Sequence, residues 1–127
     1  MAERILITGH EGYIGSVMVP VFLEAGYDVV GLDTGYFREC NIIPPAGQVE
    51  SVAKDIRDLD ASDSAGFDAV IHLAALSNDP LGNLNSGWTE DINFKASSRL
   101  AGLAKSAGVK RFLFSSSCIM YGMAADA

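Results

Sequence analysis

Three glycines, spaced three residues apart, directly follow the first apolar run of the chain, in the segment ITGHEGYIGS (residues 7–16). Glycine lets a backbone turn tightly and lets a phosphate group approach it closely. When such a turn opens a helix, the first helical amides point outward, and together with the helix dipole they form an anion site. The spacing of Gly9, Gly12 and Gly15 therefore predicts a site for a pyrophosphate group.

The spacing G-x-x-G-x-x-G differs from the commoner dinucleotide fingerprint G-x-G-x-x-G, and a P-loop is excluded because Gly-Lys-Ser/Thr is missing. An ordinary glycine-rich turn is the alternative. Asp33 favours the dinucleotide interpretation, because it ends the second apolar run 18 residues after Gly15. At that place a carboxylate accepts hydrogen bonds from the adenosine ribose diol and repels a 2′-phosphate.

Asp33 thus predicts NAD rather than NADP as the cofactor, the alternative being an acid that caps the next turn. Arg38 works against this prediction. It lies five residues after Asp33 in a predicted loop, and it would meet a 2′-phosphate if that loop folded back over the site.

These residues require strands and helices to position them. Five short runs predict strands, at residues 4–8, 27–33, 49–55, 67–75 and 110–117, and the first two lack alternation, which suits strands buried on both faces. One apolar stripe at helical spacing predicts a helix that ends at Gly26, and its residues are Ile14, Val17, Met18, Val21 and Phe22.

A second long helix is predicted from an N-cap at Ser86 to a stop at Gly108. Its apolar face consists of Ile92, Ala96, Leu100, Leu103, Ala104 and Ala107. One short helix is expected within residues 57–66, and turn-forming residues predict loops at 34–48, which contains Pro44 and Pro45, and at 76–87.

Strands that alternate with crossover helices pair in parallel, and their crossovers are right-handed. The predicted fold class is therefore α/β, a Rossmann-type doubly wound parallel sheet with strand order 3-2-1-4-5 that is truncated after the fifth strand. The 127 residues suit one domain.

The formal net charge of −7 argues against nucleic acid or an anionic membrane surface as a partner. The N-terminus has no signal-peptide pattern, and no apolar stretch is long enough to span a bilayer. Two cysteines, Cys40 and Cys118, suit neither a disulfide scaffold nor a metal site. We expect a cytoplasmic protein without a bound metal.

Four segments occur together along the chain: TGHEGYIGS (8–16), DIRD (55–58), HLAA (72–75) and SSSCIMYG (115–122). In this order and spacing they resemble the extended short-chain dehydrogenase/reductase family, and most closely its NAD-dependent epimerase/dehydratases of nucleotide sugars. The resemblance covers essentially the whole chain. It implies bound NAD, with NADP the less favoured cofactor, and a nucleotide-sugar substrate activated by transient hydride transfer.

The resemblance also implies contacts for individual residues. Tyr13 and Ile14 would place backbone amides on the pyrophosphate, and Asp55 and Ile56 would hold the adenine. The nicotinamide end would be lined or supported by Leu73, Ala74, Ala75, Asn93, Ser115 and Ser116. It implies no role for His10 or Glu11, and His72 is interpreted as a hydrogen-bonded core residue.

Ordinary structural roles are the alternative for several of these positions. Asp55 and Asp58 could be a solvated acidic pair that flanks Arg57. The segment 73–75 could be a buried strand end, and Asn93 could lie on a helix surface.

Ser117 is the catalytic residue that the resemblance implies, because it stands four residues before Tyr121, where the family keeps a Ser or Thr that bonds the reacting sugar oxygen. The family's base, the Tyr of a Tyr-x-x-x-Lys pair, is missing: no tyrosine of this chain has a lysine four residues later. Residues 1–127 are therefore expected to be the N-terminal, NAD-binding Rossmann portion of a longer enzyme, inactive alone.

Two other functions stay open at this point. One is a non-catalytic module that senses NAD(P), and the other is an NAD(P)H-dependent reductase of the same superfamily. The fifth strand would be an exposed apolar edge, which predicts association into a homodimer unless further polypeptide covers it.

Overall fold

Five parallel strands form one sheet in the order β3-β2-β1-β4-β5, which confirms the predicted Rossmann-type order. The computed structural model describes residues 1–40, 49–77 and 83–117, so Pro44, Pro45, Cys118 and Tyr121 lie outside the described residues, as does much of the predicted 76–87 loop. The strands are β1 (Arg4–Thr8), β2 (Asp28–Asp33), β3 (Glu50–Ala53), β4 (Ala69–His72) and β5 (Arg111–Phe114).

The last three strands are shorter than the runs that predicted them. β4 pairs with β1 only from Ala69 opposite Ile5 to His72 opposite Thr8. Beyond Thr8 the chain turns at Gly9, whose φ is +74°. Because a strand extends only as far as its neighbour offers hydrogen bonds, the end of β1 limits the length of β4.

The central strands β1, β2 and β4 are largely buried between two layers, whereas β3 and β5 at the two edges of the described sheet are mostly exposed. On one face β-strand residues pack under helix α1 (Tyr13–Glu24), and this layer contains Ile5, Ile7, Val19, Val29, Ala69 and Ile71. On the other face alternate strand residues pack under the later helices, and this layer contains Leu6, Val30, Leu32, Val70, Ala96, Leu100 and Ala104.

Only part of the predicted apolar stripe of helix α1 faces the sheet: Met18 and Phe22 pack against this layer, and the other three residues do not. Ile14, Val17 and Val21 are between 52% and 60% exposed, whereas Gly15 and Val19 are buried. A Cβ on Gly15 would lie 2.5 Å from the carbonyl oxygen of His10. The helix thus turns Gly15 toward the loop backbone, and this orientation leaves Ile14, Val17 and Val21 on the exposed side.

The second long helix is composite, with α2 (Ser86–Thr89), a π-helical stretch (Glu90–Ala96) and α3 (Ser97–Ser106). Its predicted N-cap, Ser86, is wrong by one residue. Asn85 is the cap, because its side chain accepts a hydrogen bond from the amide of Gly87 at 2.9 Å. Both Asn and Ser cap helices well, so the sequence alone did not separate them.

The remaining elements are short. Instead of one helix, residues 57–66 contribute to two 3₁₀ turns, Ile56–Asp58 and Ala61–Ser64. Asp55 and Asp60 cap these turns with their side chains, and such local side-chain bonds favour turns over a continuing helix. Within the described ranges, no helix combines the length and the apolar character that crossing a membrane requires.

Candidate dinucleotide site

A cleft of about 470 Å³ opens at the carboxyl ends of β1, β2 and β4. In open parallel sheets ligands bind at this edge, where neighbouring connections leave toward opposite faces. The predicted cofactor residues that line the cleft are Gly9, Gly12, Tyr13, Ile14, Gly15, Asp33, Asp55, Ile56, Leu73, Ala74 and Ala75. The fold thus brings together most of the residues selected from the sequence.

Each glycine of the loop meets a different steric demand. Gly9 has a left-handed φ of +74°, and a Cβ there would lie 2.7 Å from the amide nitrogen of Ala74. Gly15 packs against the backbone of His10, as described above. Gly12 is exposed, and a Cβ added there would lie 3.3 Å from the carbonyl oxygen of Gly9. A side chain at position 12 would therefore meet one tight backbone contact, on a residue that lines the cleft.

Helix α1 begins at the cleft, directly after Gly12. Its N-cap, Gly12, has no side chain to bond the first amides, and its first turn carries no acidic residue. The amides that open an α-helix have no acceptor within the helix, and those of Tyr13 and Ile14 are at this end. The N-terminus of a 12-residue helix therefore presents amide donors and a positive dipole end to the cleft.

Asp33 is tied to the glycine loop. Its Oδ2 accepts a hydrogen bond from the amide of Glu11 at 3.1 Å, and its Oδ1 accepts one from the amide of Gly35 at 2.9 Å. The second bond is the turn-capping contact that was the alternative interpretation of this residue. A carboxylate has about four acceptor positions, so Asp33 keeps capacity for a ligand in the cleft.

Arg38 folds back toward Asp33 but ends on Glu11. Its Nη2 lies 2.8 Å from Oε1 of Glu11, and its Nε donates to the same carboxylate at 3.0 Å. This hydrogen bond and the Glu11 charge raise the pKa of the Arg38 guanidinium. Glu11 lines the cleft, and Arg38 is absent from its lining.

Asp55 is held by its neighbour Arg57. Its carboxylate accepts hydrogen bonds from the Arg57 amide, Nε and Nη2 at 2.9, 3.0 and 2.7 Å. The side-chain bond with Arg57 is the main reason that the pKa of Asp55 lies below its usual value. Ile56, 5% exposed, completes this wall of the cleft.

A chain of hydrogen bonds runs behind the segment 73–75. Nδ1 of His72 lies 2.6 Å from Oγ1 of Thr8, and Nε2 of His72 lies 2.7 Å from Oγ of Ser97. Oγ1 of Thr8 accepts from the amide of Ala74 at 3.4 Å. His72 is 1% exposed, and burial lowers its pKa to about 4. These contacts agree with its interpretation as a hydrogen-bonded core residue.

Asn93 acts on the cleft through the backbone. Its Oδ1 accepts from the amide of Leu76 at 2.8 Å, and its Nδ2 donates to the Leu76 carbonyl oxygen at 3.0 Å. Leu76 lines the cleft, whereas Asn93 does not. The amide of Asn93 therefore clamps the segment after β4 to the π-helical stretch.

The three serines after β5 lie apart from this lining. Ser115, Ser116 and Ser117 are exposed, and the amide of Ser115 donates to the His72 carbonyl oxygen at 3.2 Å. None of them lines the described cleft. They continue the sheet edge at which the cleft opens, and their contacts with a cofactor or a sugar stay predictions.

Sequence reasoning missed the structural roles of His10 and Glu11. His10 is 8% exposed, its Nε2 lies 3.1 Å from Oγ of Ser51, and its ring fills the place that a side chain on Gly31 would take. The signal for His10 was weak. A glutamate inside a glycine loop, with an arginine in the loop after β2, was a usable signal for an ion pair.

A doubly wound sheet, a glycine turn that opens a helix, and an acid at the end of β2 define a dinucleotide-binding protein of the Rossmann type. The chain belongs to the NAD dependent epimerase/dehydratase family, whose model matches residues 5–127. The family confirms the resemblance found in the sequence and the prediction of NAD as the cofactor.

Three known proteins illustrate the relationship. The UDP-glucose 4-epimerase of Streptomyces lividans is 34% identical, over 96% of this chain and 38% of that protein. TunA, an NAD dependent NDP-hexosamine 5,6-dehydratase, has a TM-score of 0.82 at 31% identity, over 94% of this chain and 39% of TunA. MoeE5 in complex with UDP-glucose and NAD has a TM-score of 0.80 at 30% identity, and the match covers 95% of this chain and 38% of MoeE5.

These structural neighbours include NAD-dependent enzymes of nucleotide sugars. The chain spans about 38% of the length of the Streptomyces lividans relative. The segment it shares with these enzymes is therefore the one that carries the glycine loop, the acid at the end of β2 and the cleft.

Proposed function

We propose that the cleft binds NAD and that residues 1–127 are the NAD-binding portion of a nucleotide-sugar epimerase or dehydratase. The observation that carries the proposal is the bond from the Glu11 amide to Asp33 at 3.1 Å. This bond supports the proposal because it ties a helix start suited to a diphosphate to a carboxylate suited to a ribose, two neighbouring parts of an adenosine diphosphate group.

The residues present fit such a group. In the proposal, the amides of Tyr13 and Ile14 bind the pyrophosphate beside Gly12, and Asp33 accepts hydrogen bonds from the adenosine ribose. Asp55 and Ile56 hold the adenine. The nicotinamide end is reached by Leu73, Ala74, Ala75, Ser115 and Ser116, with Asn93 holding the adjacent Leu76.

When bound, NAD supplies a reversible hydride acceptor for the sugar carbon next to the reacting oxygen. Ser117 then contributes a hydroxyl that bonds the sugar oxygen and orients it for loss of its proton. The clamp between Asn93 and Leu76 keeps the adjoining wall in place. The chain has no tyrosine with a lysine four residues later, so the base that this chemistry needs is not supplied by these residues in the family's pattern.

Calorimetric titration of the purified chain with NAD and with NADP tests the cofactor proposal. We expect NAD to bind more tightly than NADP. Asp33→Ala should weaken NAD binding more than NADP binding, because only the ribose diol of NAD bonds that carboxylate. Equal loss for both nucleotides would place the ribose contact elsewhere.

Gly12→Ala tests the pyrophosphate site, since the added methyl group lies in the space that the phosphate approaches. We expect NAD affinity to fall about tenfold, which is about 1.4 kcal/mol. Gly102→Ala is the matched control, because an added Cβ there meets nothing within 4 Å. Unchanged affinity in Gly12→Ala would argue against the helix start as the phosphate site.

Incubation with UDP-, GDP-, CDP- and dTDP-sugars tests the catalytic part. The chain alone should bind NAD without converting any of these sugars, and conversion would contradict its assignment as a portion of the enzyme. Net consumption of NADH or NADPH would instead favour a reductase. A response of a partner to NAD without turnover would favour a sensing module.

Self-association is also part of the proposal. β5 is an edge strand of the sheet, and its Leu113 and Phe114 are 51% and 55% exposed. An apolar edge of this kind favours pairing with a second copy. Light scattering on the eluting protein should give the mass of a dimer, and a monomer at all concentrations would exclude it. The predicted cytoplasmic location rests on the sequence alone.

A further inference from the structure

An ion pair lies next to the carboxylate that we assign to the adenosine ribose. Glu11 donates its backbone amide to Asp33, while its side chain binds the guanidinium of Arg38. The Glu11 side chain is 14% exposed and that of Arg38 is 61% exposed. One residue of the glycine loop is therefore bonded both to Asp33, through its backbone, and to Arg38, through its side chain.

The pair closes over the turn that follows Asp33. Gly35 has a φ of +75°, and a Cβ on it would lie 3.4 Å from Nη2 of Arg38 and 3.6 Å from Oε2 of Glu11. The amide of Arg38 donates to the Gly35 carbonyl oxygen at 3.3 Å. The absence of a side chain at Gly35 thus leaves the room in which Arg38 reaches Glu11.

The two cations that line this end of the cleft are also engaged by acids of the chain. Lys54 lies 2.6 Å from Asp63, and Arg57 lies 2.7 Å from Asp55. With Arg38 held 2.8 Å from Glu11, all three basic groups have a carboxylate partner. A 2′-phosphate placed beside Asp33 would meet carboxylates first, and each cation would have to leave its partner to bind it.

We infer that Glu11 is a specificity-determining residue that selects NAD over NADP. Its carboxylate adds a second negative charge to the wall beside Asp33, and it holds Arg38, the basic residue of the turn that follows Asp33, outside the cleft. The inference rests on the proposed NAD site. It goes beyond that proposal because it assigns the selection to a loop residue other than the ribose-binding acid.

The test compares Glu11→Gln with Glu39→Gln by calorimetric titration with NAD and NADP. Glutamine at position 11 keeps the backbone bond to Asp33 and removes the charge that holds Arg38. Glu39 is the matched control, since it is an exposed acid adjacent to Arg38 in sequence. We expect Glu11→Gln to tighten NADP binding about tenfold while NAD binding changes less than about twofold.

Two further variants identify the group that is released. The double variant Glu11→Gln/Arg38→Ala should lose most of the gain in NADP affinity. Arg38→Ala alone should weaken NADP binding, because it leaves the Glu11 carboxylate without its cation, and it should leave NAD binding unchanged. Arg38 is exposed, so we expect this variant to fold even if Glu11→Gln does not.

The outcomes separate the two proposals. If the wild-type chain binds neither nucleotide, the proposed NAD site fails, and this inference fails with it. If NAD binds but Glu11→Gln leaves NADP affinity unchanged, or Glu39→Gln raises it equally, the inference alone is overturned. An undiminished gain in the double variant would overturn the role of Arg38.

Discussion

His72 of β4 and Thr8 of β1 stand directly opposite each other in the parallel ladder, with 2.6 Å between Nδ1 and Oγ1. The Ser97 hydroxyl donates to the Ile92 carbonyl oxygen at 3.5 Å, so Nε2 of His72 carries the proton and donates to Ser97. Nδ1 of the neutral ring then accepts from the Thr8 hydroxyl, whose oxygen also accepts from the amide of Ala74. Every donor in this chain has an acceptor only while His72 is neutral.

The first prediction concerns stability against pH. Burial lowers the pKa of His72 from 6.5 to about 4 in the folded state. Between these values the unfolded chain binds a proton that the folded chain does not, so the free energy of unfolding falls as pH is lowered from 6.5 to 4. The expected contribution of His72 to this fall is about 3 kcal/mol.

Urea unfolding at several pH values, with wild type and His72→Gln, measures this contribution. The difference between the two proteins should depend on pH within this window and be constant above it. The carboxylates with lowered pKa values, Asp55, Asp60 and Asp68, lose their contribution only below their ordinary pKa of 3.8. A pH-independent difference between pH 4 and 6.5 would contradict a neutral, buried His72.

A second prediction concerns the first glycine of the loop. Gly9→Ala would place a side chain on a residue with a left-handed φ, and its Cβ would lie 2.7 Å from the amide nitrogen of Ala74. We expect a loss of roughly 2–4 kcal/mol in the free energy of unfolding. Gly102→Ala lies in α3 with open space around its Cβ, and it should stabilise the protein by roughly 0.5–1 kcal/mol. Thermal unfolding of both variants checks that the first change lowers the free energy of unfolding and that the second raises it.

A third prediction concerns the contact between His10 and Gly31. A Cβ on Gly31 would collide with the His10 imidazole. Gly31→Ala should therefore cost roughly 1–3 kcal/mol of stability in the wild type, and much less in a His10→Ala background, where the space is free. A double-mutant cycle by urea unfolding measures the coupling energy between positions 10 and 31. If the two changes in the free energy of unfolding simply add, the added methyl group does not collide with the His10 ring.

A fourth prediction concerns the Asn93 clamp. Asn93→Ala removes both hydrogen bonds to the Leu76 backbone, so we expect a loss of about 1–2 kcal/mol and faster hydrogen exchange at the Leu76 amide. Ser98→Ala, at an exposed position of α3, is the control. If Leu76 exchanges at the same rate in both variants, another contact holds the segment after β4.

The strand order of the sheet was predictable because the same short pattern, an apolar strand run and then a crossover, repeats along the chain. Each apolar strand run is followed by a crossover, and parallel pairing then follows from chain geometry. The face of α1 was only partly predictable from hydrophobicity, since Met18 and Phe22 of the predicted stripe pack against the core whereas Ile14, Val17 and Val21 lie exposed. The rotation of α1 depends on a backbone contact of Gly15 with His10, which periodicity does not register.

Much of the candidate site was predictable because the topology of the sheet decides which loops lie side by side. Glycines after β1 and an acid after β2 meet at one sheet edge in any chain of this topology. The partners of charged side chains were harder to predict. Arg38 pairs with Glu11 across 27 residues and Arg57 with Asp55 across two, and these choices depend on side-chain positions that only the folded chain defines.

The π-helical stretch Glu90–Ala96 limits which changes of length this chain tolerates. Such a stretch holds more residues per turn than an α-helix. Deleting one of its residues would restore α-helical spacing and rotate the preceding part of the helix by about 100° relative to α3. Asn93 would then leave Leu76 while Ser97 stayed on His72. In this segment a single-codon deletion is thus more disruptive than most substitutions.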